Sequence, residues 1–211
     1  MGDEGGQTPA HSIKITLLGS TGVGKTCIIK RYTEGNFDEN SPSTTGGSYS
    51  SKIINVENVE VNLDLWDTAG QEKFRSLGRH FYKNAYIVCL VYDITNHDTF
   101  EDLKEKWYKD LKTFGEKYTV LAVVGSKSDC YEKEAVSEEE AREFAESIDA
   151  TFMLTSAKNG NNIDALFDTL TRKYLGPEFI KKVQEMKEEK GEVKKVTQKK
   201  AKEKPNKKKC C

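Results

Sequence analysis

The sequence predicts an α/β fold: a six-stranded, mostly parallel sheet with one antiparallel strand, flanked by about five helices. Three observations predict it. Strand-like and helix-like patterns alternate after a single hairpin signal, as βαβ units require. Tyr86 to Tyr92 and Val120 to Val124 are apolar throughout, as strands covered on both faces are. The first strand-like run breaks into a Gly-rich turn and then a helical pattern. A chain of 211 residues allows one such domain plus a tail.

Residues 1–11 are polar and Gly-rich and read as a disordered lead. Ile13-Lys14-Ile15-Thr16-Leu17 alternates at period 2, so a strand begins there and runs into Leu18. Gly19 to Gly24 interrupts it, and Lys25 to Glu34 reads as a helix stopped by Gly35. Phe37 to Tyr49, rich in Ser, Thr, Gly and Asn, reads as a loop. Lys52–Val56 and Val59–Trp66 are strand-like runs split by Glu57-Asn58, a hairpin signal. Ala69 to Arg79 is a second polar loop. After the apolar strand at 86–92, Phe100, Leu103, Trp107 and Leu111 recur at spacings of three and four, predicting a helix over Asp98–Phe114. Ser137-Glu138-Glu139-Glu140 is a capping box opening a helix to about Ile148. Thr151–Leu154 is a short strand and Asn162–Tyr174 a last amphipathic helix. Gly176-Pro177 then closes a domain expected over 12–176, and the 177–211 tail is too polar to bury a core.

The net charge of −1 hides an asymmetry. Lys181 to Lys209 carries +8 and the remainder −9. An acidic body with a basic tail points to an anionic surface as partner, membrane or nucleic acid. The longest apolar run, Ala85 to Tyr92, is far shorter than the roughly 20 residues of a membrane helix, and no apolar stretch follows a basic start, so a secretory leader is not expected. Cys27, Cys89, Cys130, Cys210 and Cys211 are odd in number and show no zinc spacing, which argues for free thiols in a reducing compartment.

Gly19-Ser20-Thr21-Gly22-Val23-Gly24-Lys25-Thr26 matches the phosphate-loop pattern G-x-x-x-x-G-K-[ST], and it lies between a predicted strand and helix, the context that confirms it. The glycines let successive N–H groups face phosphate oxygens at a helix N-terminus. Lys25 is suited to neutralise β- and γ-phosphate charge, and the Thr26 hydroxyl to bind Mg²⁺. Asp67-Thr68-Ala69-Gly70-Gln71-Glu72 follows the strand ending at Trp66. Asp67, at the strand's carboxyl end, can hold a Mg²⁺ water. The Gly70 N–H can approach a γ-phosphate, and the Gln71 amide, which both donates and accepts, can orient an attacking water.

The two motifs resemble those of the Ras-like small GTPases. Tyr92-Asp93-Ile94-Thr95-Asn96, Phe100 and the Cys210-Cys211 pair are similar to the Rab branch. The resemblance covers roughly Ile13 to Leu175 and implies a P-loop NTPase fold, with Mg²⁺ as cofactor and GTP and GDP as substrate and product. It implies that Thr44 completes the Mg²⁺ shell with Thr26 and Asp67 when GTP is bound, and that Phe37 packs on the guanine face. Cys27 is implied in the nucleotide contacts with the rest of the phosphate loop. Ser126-Lys127-Ser128-Asp129 stands where the family has N-K-x-D. Asp129 can still accept from guanine N1–H and the exocyclic amine, a pairing adenine cannot offer. Lys127 can lay its stem along the base. Ser126 lacks the amide that contacts the base and ties this loop to the phosphate loop, so nucleotide is expected to be held less tightly. Ser156-Ala157-Lys158 fits the loop whose Ala157 N–H meets guanine O6, and Leu154 in place of an acidic residue predicts that this loop is less tightly braced. Switch I, Ser43-Thr44-Thr45-Gly46-Gly47-Ser48-Tyr49, lacks the usual apolar pair, and Ser41 replaces an aromatic, so a mobile, polar segment is expected.

The resemblance further implies effectors and a GTPase-activating protein docking on residues 41–49 and 70–82, an exchange factor, and escort and dissociation-inhibitor proteins. It implies a monomer that binds no nucleic acid, on the cytoplasmic face of intracellular membranes with a cytosolic pool. Cys210 and Cys211, behind Lys207-Lys208-Lys209, resemble the double-cysteine end that carries two prenyl groups, and two lipids, or one with basic residues, anchor stably. The implied function is a membrane-attached GTP-hydrolysing switch in vesicle trafficking. The alternative is a nucleotide-dependent membrane scaffold with weak or no hydrolysis. A phosphate-loop kinase would need lid arginines, and no such cluster shows in the sequence.

Overall fold

The computed structural model describes residues 12–39, 42, 44, 46–57, 59–68, 83–115, 120–178 and 181. The 1–11 lead, Ser41, Ser43, Thr45, the 70–82 segment with Gly70 and Gln71, and Cys210 and Cys211 lie outside the described residues.

Strands β1 (Ser12–Leu18), β2 (Ser48–Val56), β3 (Val59–Asp67), β4 (Ile87–Asp93), β5 (Val120–Ser126) and β6 (Thr151–Leu154) form one sheet in the order β2-β3-β1-β4-β5-β6. Only β2 and β3 are antiparallel; every other neighbouring pair is parallel. The carboxyl ends of β1, β3, β4, β5 and β6 therefore share one edge of the sheet. Chain order reverses at β1, and the crevice beyond such a switch point is where open α/β sheets bind ligands.

Five helical segments are found among the described residues. They are α1 (Lys25–Glu34), the long α2 made of His97–Asp102, Leu103–Tyr108 and Lys109–Phe114, a 3₁₀ turn (Ser128–Lys133), α3 (Glu138–Ser147) and α4 over 163–178. The period-2 alternation of the strands sends side chains to two cores. Ile87, Cys89 and Val91 join Ile28, Ile29 and Tyr32 of α1 and Leu166, Phe167 and Leu170 of α4. Val88, Leu90 and Tyr92 face Phe100, Leu103 and Trp107 of α2 and Ala141 and Ala145 of α3. Tyr32 stacks on Phe167 with ring centroids 4.0 Å apart, so α1 and α4 are fixed side by side under the same edge.

Two expectations need correction. The loop expected to run to Tyr49 ends earlier, because β2 begins at Ser48, opposite Asp67. Tyr49 sits opposite Trp66, meets its ring edge-on at 5.4 Å, and donates to Asp64 Oδ1 at 2.7 Å. These cross-strand contacts offset the weak strand tendency of the serines around it. The last part of the segment read as mobile is thus paired strand. The second concerns α2, which is π-helical over Leu103–Tyr108 rather than α-helical throughout. The apolar positions that predicted the helix are buried all the same.

Candidate nucleotide-binding site

The Gly19–Thr26 turn joins β1 to α1 at the common edge. A Cβ on Gly19 would lie 2.1 Å from the Val91 carbonyl oxygen, so only glycine lets the turn leave β1 pressed against β4. Gly24 caps α1 in the left-handed region (φ 98°) with no side-chain hydrogen bond, and the first turn of α1 carries no acidic residue. Its opening N–H groups are thus available to an anion. Lys25 is 5% exposed and donates from Nζ to the carbonyls of Gly19 (2.8 Å) and Ser20 (3.1 Å). Burial pulls this ammonium down to about 8 against the charge of Asp67. A buried cation whose hydrogen bonds among the described residues go to neutral carbonyls is well suited to a polyanion. Thr21 and Gly22 face outward, Val23 is buried in the core, and Cys27 lies half-buried, its thiol pushed up by burial.

Beside Lys25, three oxygen-bearing side chains meet. Thr26 Oγ1 donates to Asp67 Oδ2 at 2.5 Å, shares a hydrogen bond with Thr44 Oγ1 at 2.7 Å, and Thr44 Oγ1 is 3.3 Å from Asp67 Oδ2. Asp67 is 1% exposed, and its Oδ1 is buried without a hydrogen-bond partner among the described residues. Burial raises this carboxyl above its ordinary value, against the pull of Thr26 and Lys25. An orphaned carboxylate oxygen beside two hydroxyls is the hard-oxygen donor set a small divalent cation takes. Thr26, Thr44 and Asp67 therefore fit Mg²⁺. The Thr68 hydroxyl, donating to the Leu17 carbonyl at 2.8 Å, holds the chain that carries Asp67 against β1.

At the ends of β5 and β6 lies the second half of the site. Lys127 adopts φ +61° and pairs with Asp93 Oδ2 at 2.6 Å. Asp93 Oδ1 in turn accepts from the backbone N–H and hydroxyl of Thr95. Asp129 Oδ1 accepts from the Ser156 hydroxyl at 2.5 Å. Burial pushes the Asp129 carboxyl up, but Ser156, the backbone, Cys130 and the charge of Lys158 outweigh it and hold the group below its ordinary value. An ionised, acceptor-only carboxylate is thereby presented at the cavity wall.

Ser126 does not lack the tie to the phosphate loop. Its hydroxyl, in a residue 2% exposed, reaches the Val23 carbonyl at 2.5 Å and the Tyr92 carbonyl at 2.8 Å, bridging phosphate loop, β4 and β5. A short side chain suffices because Val23 sits directly beneath it. The loop after β6 is likewise braced despite Leu154. Arg31 of α1 donates from Nε to the Ala157 carbonyl (2.5 Å), from Nη1 to the Gly35 carbonyl (2.7 Å) and from Nη2 to the Lys158 carbonyl. An acidic residue is replaced by a guanidinium fork from the opposite element.

Thr21, Gly22, Gly24, Lys25, Thr26, Cys27, Phe37, Thr44, Ser126, Lys127, Asp129, Ala157 and Lys158 line one cavity of about 310 Å³. That is the size of a small-molecule site. Gly19, Val23 and Ser156 stand behind it, acting through Lys25, Ser126 and Asp129. Arg31, Thr68, Cys130 and Asp38 are neighbours or lining residues that the sequence did not single out. A basic residue in the last turn of α1 was the one signal for Arg31, and it reads equally as a solvated surface charge.

A model of the Ras family matches residues 14–176. The chain is 42% identical over 163 residues to the Ras-related protein Rab-22A of Homo sapiens, spanning 77% of this chain and 84% of the relative. It is 42% identical over 170 residues to the Ras-related protein Rab-31 of Mus musculus, 80% of this chain and 87% of the relative. Identity to the Ras-related protein Rab-30 of Homo sapiens is 38% over 154 residues, 73% of this chain and 75% of the relative. The phosphate cradle, the Thr26–Asp67 cluster and the Asp129 loop thus stand within a matched region that spans nearly the whole described fold, and the chain belongs to the Rab branch of the Ras family.

Proposed function

We propose that this small GTPase works as a Mg²⁺-dependent, membrane-attached switch in vesicle trafficking, with the 310 Å³ cavity as its guanine nucleotide site. The observation that carries the reading is the meeting, around one cavity, of a buried lysine in a glycine-rich cradle, the Thr26 and Thr44 hydroxyls with Asp67 behind them, and an ionised Asp129. In this reading the first N–H groups of α1 and Lys25 take the β- and γ-phosphates. Thr26, Thr44 and Asp67 hold Mg²⁺, which supplies charge neutralisation at the phosphate oxygens. Asp129 pairs with the Watson–Crick edge of guanine, the Ala157 N–H meets O6, and Lys127, held by Asp93, lies along the base with Phe37 opposite. Gly70 contacts the γ-phosphate and Gln71 orients the attacking water, so catalysis is positioning and charge stabilisation without a covalent step. Neither the phosphate loop nor the 37–49 segment contains an arginine, so intrinsic turnover is slow and a partner supplies the missing cation.

Ordering of 41–49 and 70–82 around the γ-phosphate would then present the surface read by effectors and the GTPase-activating protein, with an exchange factor resetting the switch. Prenylation of Cys210 and Cys211, with the +8 tail, would hold the protein on the cytoplasmic face of an intracellular membrane. Escort and dissociation-inhibitor proteins would maintain a cytosolic pool. No helix among the described residues is long and apolar enough to cross a membrane. The test is phosphate release by the purified protein with Mg²⁺. GTP is expected to be turned over slowly and ATP not at all; turnover of ATP at the same rate would overturn the reading.

A further inference from the structure

The π-helical turn of α2 faces the phosphate loop. Ser20, the second residue of that loop, offers its carbonyl to Lys25 Nζ at 3.1 Å. Its hydroxyl donates to Asp102 Oδ2 at 3.1 Å and accepts from Trp107 Nε1 at 3.3 Å. Asp102 is itself held by Lys106, whose Nζ lies 2.5 Å from Oδ1, and Trp107 is 7% exposed. Asp102 and Trp107 are five positions apart. In an α-helix, with 3.6 residues per turn, five steps leave two side chains about 140° apart, on different faces. A π turn winds more widely, with hydrogen bonds from i to i+5, and brings the i and i+5 positions to the same side of the helix. The π-helical stretch Leu103–Tyr108 is therefore what allows both side chains to reach a single hydroxyl.

On the proposed reading of the cavity as a guanine nucleotide site, we propose that Trp107 and Asp102 are positioning residues for nucleotide binding. They clamp Ser20 from both sides of its hydroxyl and so fix the peptide whose carbonyl steers Lys25. The π turn is the geometric device that makes the clamp, and it links the surface of α2 to nucleotide release. Neither residue lines the cavity. Their effect on nucleotide passes through Ser20 and Lys25 alone.

The test follows the release of fluorescent methylanthraniloyl-GDP from the full-length protein with Mg²⁺, alongside the melting temperature of each variant. Ser20→Ala should speed release by about 5- to 150-fold, the size of the two lost hydrogen bonds, and Ser20→Thr, which keeps the hydroxyl, should restore the parent rate. Trp107→Phe keeps the ring and removes only the N–H donor, and should speed release in the same direction. Because both changes break the same linkage, the double variant should release GDP no faster than the faster single variant. A Trp107 with a purely structural role would lower the melting temperature without moving the release rate, and that result would overturn the clamp. So would parent-like release from Ser20→Ala, or full additivity in the double variant. A parent protein that binds no GDP would overturn the reading of the site itself, and is recognised before any variant is compared.

Discussion

Replacing Ser126 by alanine removes one oxygen from the middle of the site. In the parent that oxygen is buried and bridges the carbonyls of Val23 and Tyr92. Val23 belongs to the phosphate loop and Ser126 begins the loop carrying Asp129, so the bridge joins the two halves of the cavity. Alanine would take away the single O–H proton that the Val23 and Tyr92 carbonyls share, a loss of about 1–3 kcal/mol. Expressed in nucleotide affinity, that is roughly 5- to 150-fold. Related complexes differ mainly in dissociation rate, so the loss should appear as faster GDP release, measured by chasing fluorescent GDP with unlabelled GDP. Ser126→Asn is the informative counterpart. The hydroxyl already makes the tie, so an amide can add only a contact to the base, about 0.5–1.5 kcal/mol and no more than about tenfold slower release. Parent-like release from Ser126→Ala would refute the bridging role. Slowing by two orders of magnitude in Ser126→Asn would show that serine leaves the tie unmade.

Arg31→Ala should weaken GDP binding by about tenfold by freeing the Ala157–Lys158 backbone, and Arg31→Lys should recover little because an ammonium cannot reproduce the fork; calorimetric titration with GDP checks both. Gln71→Leu should bind GTP as the parent does and lose the acceleration given by an activating protein, read as phosphate release with that protein present. Removing Cys210 and Cys211 should shift the protein wholly to the soluble fraction of fractionated cells, since lysines alone give only screened attraction. Because Ser156 and its other partners hold the Asp129 carboxyl below its ordinary value, preference for GDP over ADP should stay flat as pH falls to about 5, where competition binding should show no loss.

Much of this was legible in the sequence because local pattern and global fold agree. The full apolarity of Tyr86–Tyr92 and Val120–Val124 announced the central strands, and the phosphate-loop spacing announced the cradle between β1 and α1. What escaped depends on contacts distant in the chain. Ser126 meets Val23 across 103 positions and Arg31 meets Ala157 across 126, so neither brace leaves a trace in any local window. The departures at Ser126 and Leu154 therefore looked like losses when each is compensated by a neighbour from another element. The start of β2 was hidden because Ser48, Ser50 and Ser51 carry no strand signal; their partner strand supplies it. The π turn was hidden for the opposite reason. Apolar spacings of three and four fit an ordinary helix, and only the convergence of Asp102 and Trp107 on Ser20 reveals the wider winding.

Everything proposed for the cavity rests on its holding a guanine nucleotide. The direct measurement is to denature the purified protein and identify by chromatography the nucleotide it releases. GDP, or GTP, close to one per chain is the predicted result, because on the proposed reading the Asp129 carboxylate would meet the guanine edge and Lys25 with the α1 N-terminus the phosphates. An adenine nucleotide, or an empty site that cannot afterwards be loaded with GDP in the presence of Mg²⁺, would contradict it.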